Sequence, residues 1–200
     1  MHPMTPAGET SIRTFVAVQV PAKAQQCIAG VIDRLRTRVP EKSVRWVRPE
    51  NIHLTLRFVG NVSPGDLDDL KVAVQESVQG MQPFALQLAG CGCFPNVHAP
   101  RVLWVGLEGD LDTLSALQSR VTAKTAGWGE LEERDFHPHL TLGRVTTKRR
   151  GELQRVATAF DDVSVPACPP WTVAALHLMQ SQLTPDGARY SVLATGQITG

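Results

Sequence analysis

An α+β fold made of two related halves is the architecture this sequence predicts, and three observations carry the prediction. The pattern His-Leu-Thr-Leu begins at His53 and again at His139, 86 positions apart. Strand-length apolar or alternating runs are interleaved with segments whose apolar residues recur at helical spacing. The order strand, helix, motif strand, helix, strand then occurs twice, which predicts two pseudo-twofold-related lobes with mostly antiparallel sheets flanked by helices and a cleft between them.

Residues 1–12 are polar and carry Pro3, Pro6 and Gly8, so a disordered leader is expected there, with residues 13–200 forming one bilobal domain of two intertwined repeats. Residues 13–20 read as a buried strand closed by Pro21. Residues 22–38 set Ile28, Val31, Ile32 and Leu35 at helical spacing and place Arg34, Arg36 and Arg38 near the end, where cations suit the dipole. A short apolar stretch at 44–47 and the turn residues Pro49, Glu50 and Asn51 lead into the first motif strand at 52–59, with Gly60 and Asn61 expected to end it. Pro64 in a first turn opens a helix with Leu67, Leu70, Val74 and Val78 in its stripe, and residues 83–92 alternate as a strand.

The second half begins after a loop at 94–100. It gives a strand at 101–107 containing Trp104, a helix at 110–126 and a break at Gly127, Trp128 and Gly129. An acidic loop at 130–135, the second motif strand to Val145 and a helix at 147–160 come next. Residues 173–183 and 188–194 read as a hairpin across Thr184, Pro185, Asp186 and Gly187.

Composition narrows the function. A hydrophobic content of 42%, 20% charged residues and a formal charge of +1 describe a globular chain with no global attraction to polyanions, so nucleic-acid contact needs a local basic patch. No apolar run reaches signal-peptide or membrane-spanning length, which points to the cytoplasm and away from a membrane partner. Cys27, Cys91, Cys93 and Cys168 include no paired Cys-x-x-Cys, so neither a zinc site nor a disulfide framework is expected and the thiols read as idle.

On a strand, each motif sends its His and Thr to one face and its two Leu residues to the other. One such tripeptide alone describes many solvated strands; two copies ask for a common cause. Paired imidazoles suit concerted catalysis, one taking a proton from the attacking group and the other giving one to the leaving group. Thr55 and Thr141 are placed to donate hydrogen bonds to oxygens that gain charge in a transition state, an arrangement that fits phosphoryl transfer. Counting by two also brings Arg57 to the face of His53. The same count puts Gly143 beside His139 and Arg144 on the opposite face, unless the strand bulges after Leu142 or Arg144 reaches in from the strand end.

The paired motifs, the strand Thr-Phe-Val-Ala-Val from Thr14, Arg45-Trp46, Phe58-Val59-Gly60, Gly92-Cys93-Phe94-Pro95 and Phe136-His137-Pro138-His139 resemble the two-histidine (2H) phosphoesterase superfamily. The run from Pro100 to Trp104, and Ser181-Gln182-Leu183 with Gly187 and Tyr190, extend the likeness over residues 13–194. It is most similar to the RNA 2′,3′-cyclic phosphodiesterase branch, also described as 2′-5′ RNA ligase. The resemblance implies hydrolysis of RNA or nucleotide 2′,3′-cyclic phosphate to a 2′-phosphate, without metal or other cofactor. His53 would be the proton donor and His139 the proton acceptor, with Thr55 and Thr141 holding phosphate oxygens and Arg144 matching a basic residue of the family. The implied partners are RNA or oligonucleotide ends bearing the cyclic phosphate, acted on by a monomer.

Other residues keep two readings. Arg57 is a phosphate contact or a solvated strand-end cation. Trp46, Phe58, Phe94 and Trp104 are base-stacking candidates or core, with loop-borne Phe94 the best placed to stack. His137 with His139 could bind a metal, although a rim or buried hydrogen-bonded His137 is the plainer reading. His98 and Arg101 flank the central loop, where a side chain is either solvated or within reach of substrate; His177 reads as structural. Lys148, Arg149 and Arg150 could meet an RNA backbone or simply be solvated. The alternatives to the leading function are 2′-5′ RNA ligation or another phosphodiesterase activity at the same site, and a non-catalytic RNA-binding module.

Overall fold

The computed structural model describes residues 11–200 except Glu133, Asp162 and Asp186, so expectations for the leader at 1–10 and for turn position 186 lie outside the described residues. The chain runs β1 (Ile12–Gln19), α1 (Ala22–Arg36), β2 (Val44–Trp46), β3 (His53–Val62), α2 (Leu67–Glu76), β4 (Phe84–Phe94), β5 (Val102–Gly109), α3 (Leu111–Lys124), β6 (His139–Val145), α4 (Arg150–Asp161), β7 (Trp171–Val173), β8 (Ala175–Thr184) and β9 (Gly187–Gln197). This is the predicted α+β fold of two repeated halves.

The strands form one antiparallel sheet in the order β7-β4-β5-β6-β3-β1-β8-β9, with β2 paired to β6. A late strand of each half crosses to the other: β4 pairs with β5, and β8 pairs with β1. The two motif strands are therefore neighbours, paired antiparallel at Leu54 and Leu140, and do not face one another across a gap as the repeat suggested. Twofold-related strands can meet edge to edge because the axis then passes between two leucines whose side chains enter the same core.

That core lies on one side of the sheet. Leu54, Leu56, Leu140 and Leu142 join Ile28, Ile32 and Leu35 of α1, Leu70 and Val74 of α2, Leu114, Leu117 and Val121 of α3, and Val156 and Phe160 of α4. The stripes read from the sequence for α1 and α2 supply Ile28, Ile32, Leu35, Leu70 and Val74 of this core. Each fully buried aliphatic side chain stabilises the fold by about 1.5–3 kcal/mol. The opposite side carries a small cluster of Phe15, Ala17 and Met179 with Tyr190 packed on it, and no helical residue. Among the described residues no helix packs on the His and Thr side of the motifs.

Several boundaries differ from expectation. β3 runs through Gly60 and Asn61, because Gly60 takes φ +88° beside an irregularity in the β1 pairing and lets the strand continue. α4 starts at Arg150 because the hydroxyl of Thr147 accepts from the Arg149 amide and donates to Glu152, capping the helix from outside. Phe94 ends β4 and pairs with Val102, so it is a strand residue and the loop begins after it. The thiols of Cys27 and Cys168 lie 2.7 Å apart, and burial pushes those of Cys91 and Cys168 up to about 11, which leaves both protonated near neutral pH.

Candidate active site

The register places the predicted catalytic residues in one patch. Antiparallel pairing at Leu54 and Leu140, continued one residue each way, sets His53 beside Thr141 and Thr55 beside His139. Alternation then turns all four toward the helix-free face, since the intervening leucines are buried on the other.

Each imidazole is held by the same device. His53 Nδ1 lies 2.7 Å from the carbonyl oxygen of Asn51, and His139 Nδ1 lies 2.7 Å from that of His137. A carbonyl oxygen only accepts, so each Nδ1 carries hydrogen and donates, leaving Nε2 as the atom available for proton exchange. Asn51 is itself fixed in the 3-10 turn Pro49–Asn51, where its Nδ2 donates to Ala188 O at 3.0 Å.

Aromatic rings set the remaining orientation. The His53 ring packs on Phe15 at 4.7 Å and against Tyr190 at 5.1 Å, edge to face at 88°. Phe94 meets the His139 ring edge-on at 5.0 Å, and Trp104 stands at 6.3 Å. Trp104 lies flat over Gly92, where a Cβ would come within 2.1 Å of the indole, so a glycine is required beneath it. Burial holds both imidazoles below their ordinary pKa. At His139, Arg144 and His137 push the same way, against the His137 carbonyl bond and Glu132.

Arg57 is redirected by a bulge. Ala17 pairs with Thr55 but Val16 with Arg57, so Leu56 is an extra residue, and Leu56 and Arg57 both turn inward. Arg57 is only 6% exposed; its guanidinium donates to Thr125 Oγ1 and, at 2.7 Å, to Trp128 O. It caps the C-terminal end of α3 and, contrary to the expectation from parity, does not share the face of His53. Phe58, 49% exposed, takes the place assigned to Arg57 and lies 6.1 Å from Phe15.

The second motif bulges at the equivalent residue. Trp104 pairs with Thr141 and Leu103 with Gly143, so Leu142 is extra and exposed Arg144 returns to the face of His139 and Thr141. Gly143 points inward, where a Cβ would stand 2.8 Å from Val44 Cγ1 and 3.1 Å from the Trp46 ring. Trp46 thus packs on the core side, away from the histidines.

The other candidates separate. His137 is exposed beside Phe94, and among the described residues no group of three or more His, Cys, Asp or Glu is arranged to hold a metal ion. His98 sits in the exposed loop after β4, whereas His177 is half-buried with Nδ1 3.0 Å from Thr195 Oγ1. Arg149 pairs with Glu152 at 3.1 Å; Lys148 and Arg150 are exposed. A surface hollow of about 420 Å³ beside Gln75, Thr195 and Gly200 contains none of these residues. Sequence reading passed over Tyr190 as a site residue, because nothing local signals that β9 would fold back against His53.

No helix among the described residues is long and apolar enough to cross a membrane. The family model for LigT-like phosphoesterases matches residues 18–104 and again 105–190. RNA 2′,3′-cyclic phosphodiesterase from Methanothermobacter thermautotrophicus is 34% identical over 181 residues, covering 90% of this chain and 95% of that protein. The same-named protein from Archaeoglobus fulgidus is 33% identical over 91% of this chain and 98% of its own length. A crystal structure from Thermus thermophilus superposes with a TM-score of 0.70 at 26% identity, covering 94% of this chain and 99% of that one. Escherichia coli LigT without ligand gives 0.72 at 24% identity over 96% and 100%, which speaks to the fold. Two successive matches to one model, over two halves that carry the same motif at the same bulge, have one explanation: the chain belongs to the LigT-like, two-histidine phosphoesterase family.

Proposed function

We propose that this protein hydrolyses the 2′,3′-cyclic phosphate at RNA ends to a 2′-phosphate, with His139 as base and His53 as acid and without a metal ion. The observation that carries the reading is the shared anchoring of the two imidazoles, each spending Nδ1 on a carbonyl and keeping Nε2 for protons, beside a threonine of the other motif. His139 Nε2 takes a proton from water as the water oxygen attacks phosphorus. The bond from phosphorus to O3′ breaks, and His53 Nε2 gives its proton to O3′. One water is consumed, and solvent exchange restores both imidazoles. Thr55 and Thr141 donate to the non-bridging oxygens as their charge rises. Burial, with Arg144 nearby, keeps the resting His139 imidazole unprotonated and so able to accept a proton, and burial acts the same way on His53. The names of the archaeal relatives support the substrate class.

The reading includes a monomer working in the cytoplasm on RNA or oligonucleotide ends, with sedimentation velocity as the check on its mass. Its direct test is a purified preparation with a 2′,3′-cyclic nucleotide in excess chelator, and then identification of the product isomer. The 2′-phosphate is expected. The 3′-phosphate would reverse the acid and base, and activity lost to chelator and restored by a divalent cation would remove the metal-free scheme.

A further inference from the structure

Arg45 of β2 and Arg144 of β6 are direct cross-strand partners, so their side chains share a face of the sheet. Their neighbours say which face. Val44 is buried in the core, and the missing Cβ of Gly143 points at Val44 and Trp46, which turns Arg45 and Arg144 the other way, onto the face of His139 and Thr141. Both arginines are exposed. Like charges at paired positions destabilise a sheet, and a guanidinium cannot discharge to relieve the repulsion. The ion pairs between described residues join Arg36 to Asp33, Lys71 to Asp68, Lys124 to Glu76 and Arg149 to Glu152, so none neutralises this pair. Two adjoining positive charges, with no ion-pair partner among the described residues, thus continue the row of His139 and Thr141 along β6 and one strand beyond it.

A cyclic phosphate seated between the histidines already has two hydroxyls and Arg144 to hold it. Arg45 stands a further strand away, about 4.8 Å in sheet spacing. A terminal nucleotide whose O2′ and O3′ are both engaged in the cyclic phosphate has a single other phosphate position, at its 5′ side. We propose that Arg45, with Arg144 beside it, forms a second phosphate site that takes this 5′ phosphate, so that the enzyme favours chain ends over nucleosides bearing only the cyclic phosphate. The proposal rests on the cyclic phosphodiesterase reading and adds to it a residue and a specificity.

The test compares kcat/KM for three substrates: a nucleoside 2′,3′-cyclic phosphate, the same compound with a 5′ phosphate, and a dinucleotide ending in the cyclic phosphate. The second and third should exceed the first by about tenfold, and Arg45→Gln should collapse the ratio while Arg45→Lys keeps part of it. A preference confined to the dinucleotide would assign the gain to the chain and overturn a phosphate site. Loss of the salt dependence of dinucleotide KM, by about 0.7 in log-log slope, is expected for the Gln variant. Its melting temperature should not fall, since repulsion is relieved. Equal wild-type rates on all three substrates, or an equal loss on all three in Arg45→Gln, would overturn the second site. Calorimetric binding of a 2′-phosphorylated dinucleotide against a nucleoside 2′-phosphate reads the site without turnover. A binding preference that Arg45→Gln removes, in a protein that hydrolyses none of the substrates, would sink the activity and leave the second site standing.

Discussion

The strand of His53 and the strand of His139 share four residues, one histidine anchor and one bulge, yet the residues beyond the bulge differ. In β3 the inward position is Arg57, which staples the strand to the end of α3, and the outward one is Phe58. In β6 the inward position is Gly143, which lets β2 approach, and the outward one is Arg144. Across the strands from the threonines the difference continues: Thr55 adjoins Ala17, whereas Thr141 adjoins Trp104 lying over Gly92. The repeat therefore supplies two identically anchored imidazoles, and the post-bulge residues break the symmetry. The His53 ring lies between Phe15 and Tyr190, whereas the His139 ring, against Phe94 and Trp104, also has the Arg144 cation nearby.

The largest effects should come from the features the halves share. His53→Ala and His139→Ala are each expected to lower kcat by about 10²–10⁴-fold in steady-state hydrolysis of a cyclic nucleotide. Near-normal turnover in either variant would mean that only one motif is chemical. Thr55→Ala and Thr141→Ala should come next, at about 10²-fold in kcat, if each holds a non-bridging oxygen.

The arginines then separate the halves. Arg57→Met should cost about 2–4 kcal/mol in urea unfolding, because two charge-assisted hydrogen bonds inside the fold are lost. Its remaining folded fraction should keep kcat/KM. Arg144→Met should do the reverse, lowering kcat/KM with little change in stability. An Arg57 variant that unfolds normally and loses activity would make that residue a phosphate contact after all.

The pH response is the next smaller effect. His53, His139 and His177 all have pKa values lowered by burial, so the unfolded chain protonates first as pH falls through about 6.5. Their contribution to stability is whole above that value and declines below it, which denaturant titrations at successive pH values will read. Because both motif imidazoles are lowered, proton exchange through them as proposed should make the kcat/KM profile peak below about 6.5, and bound phosphate should move the kcat profile upward. Smallest is Gly143→Ala, expected to cost about 1 kcal/mol because Val44 and the Trp46 ring must give way.

Local pattern made much of this legible. Alternation fixes which motif residues share a face, helical spacing marks Ile28 to Leu35 and Leu114 to Val121 as core, and the recurrence of His-Leu-Thr-Leu marks two equivalent sites, since these properties derive from backbone period alone. The side-chain directions just past each motif were not legible. Parity favoured Arg57 over Arg144, and the bulges at Leu56 and Leu142 reversed the order, because an extra residue is defined only against its partner strand. The Arg45 and Arg144 pair, the edge-to-edge meeting of β3 and β6, and the packing of Tyr190 on His53 likewise belong to register between distant segments. By itself the sequence determined the paired His and Thr side chains of the two motifs and the face they occupy. Tertiary pairing alone decided which charges stand beside them, because long-range register, not local period, sets the direction of every side chain beyond a bulge.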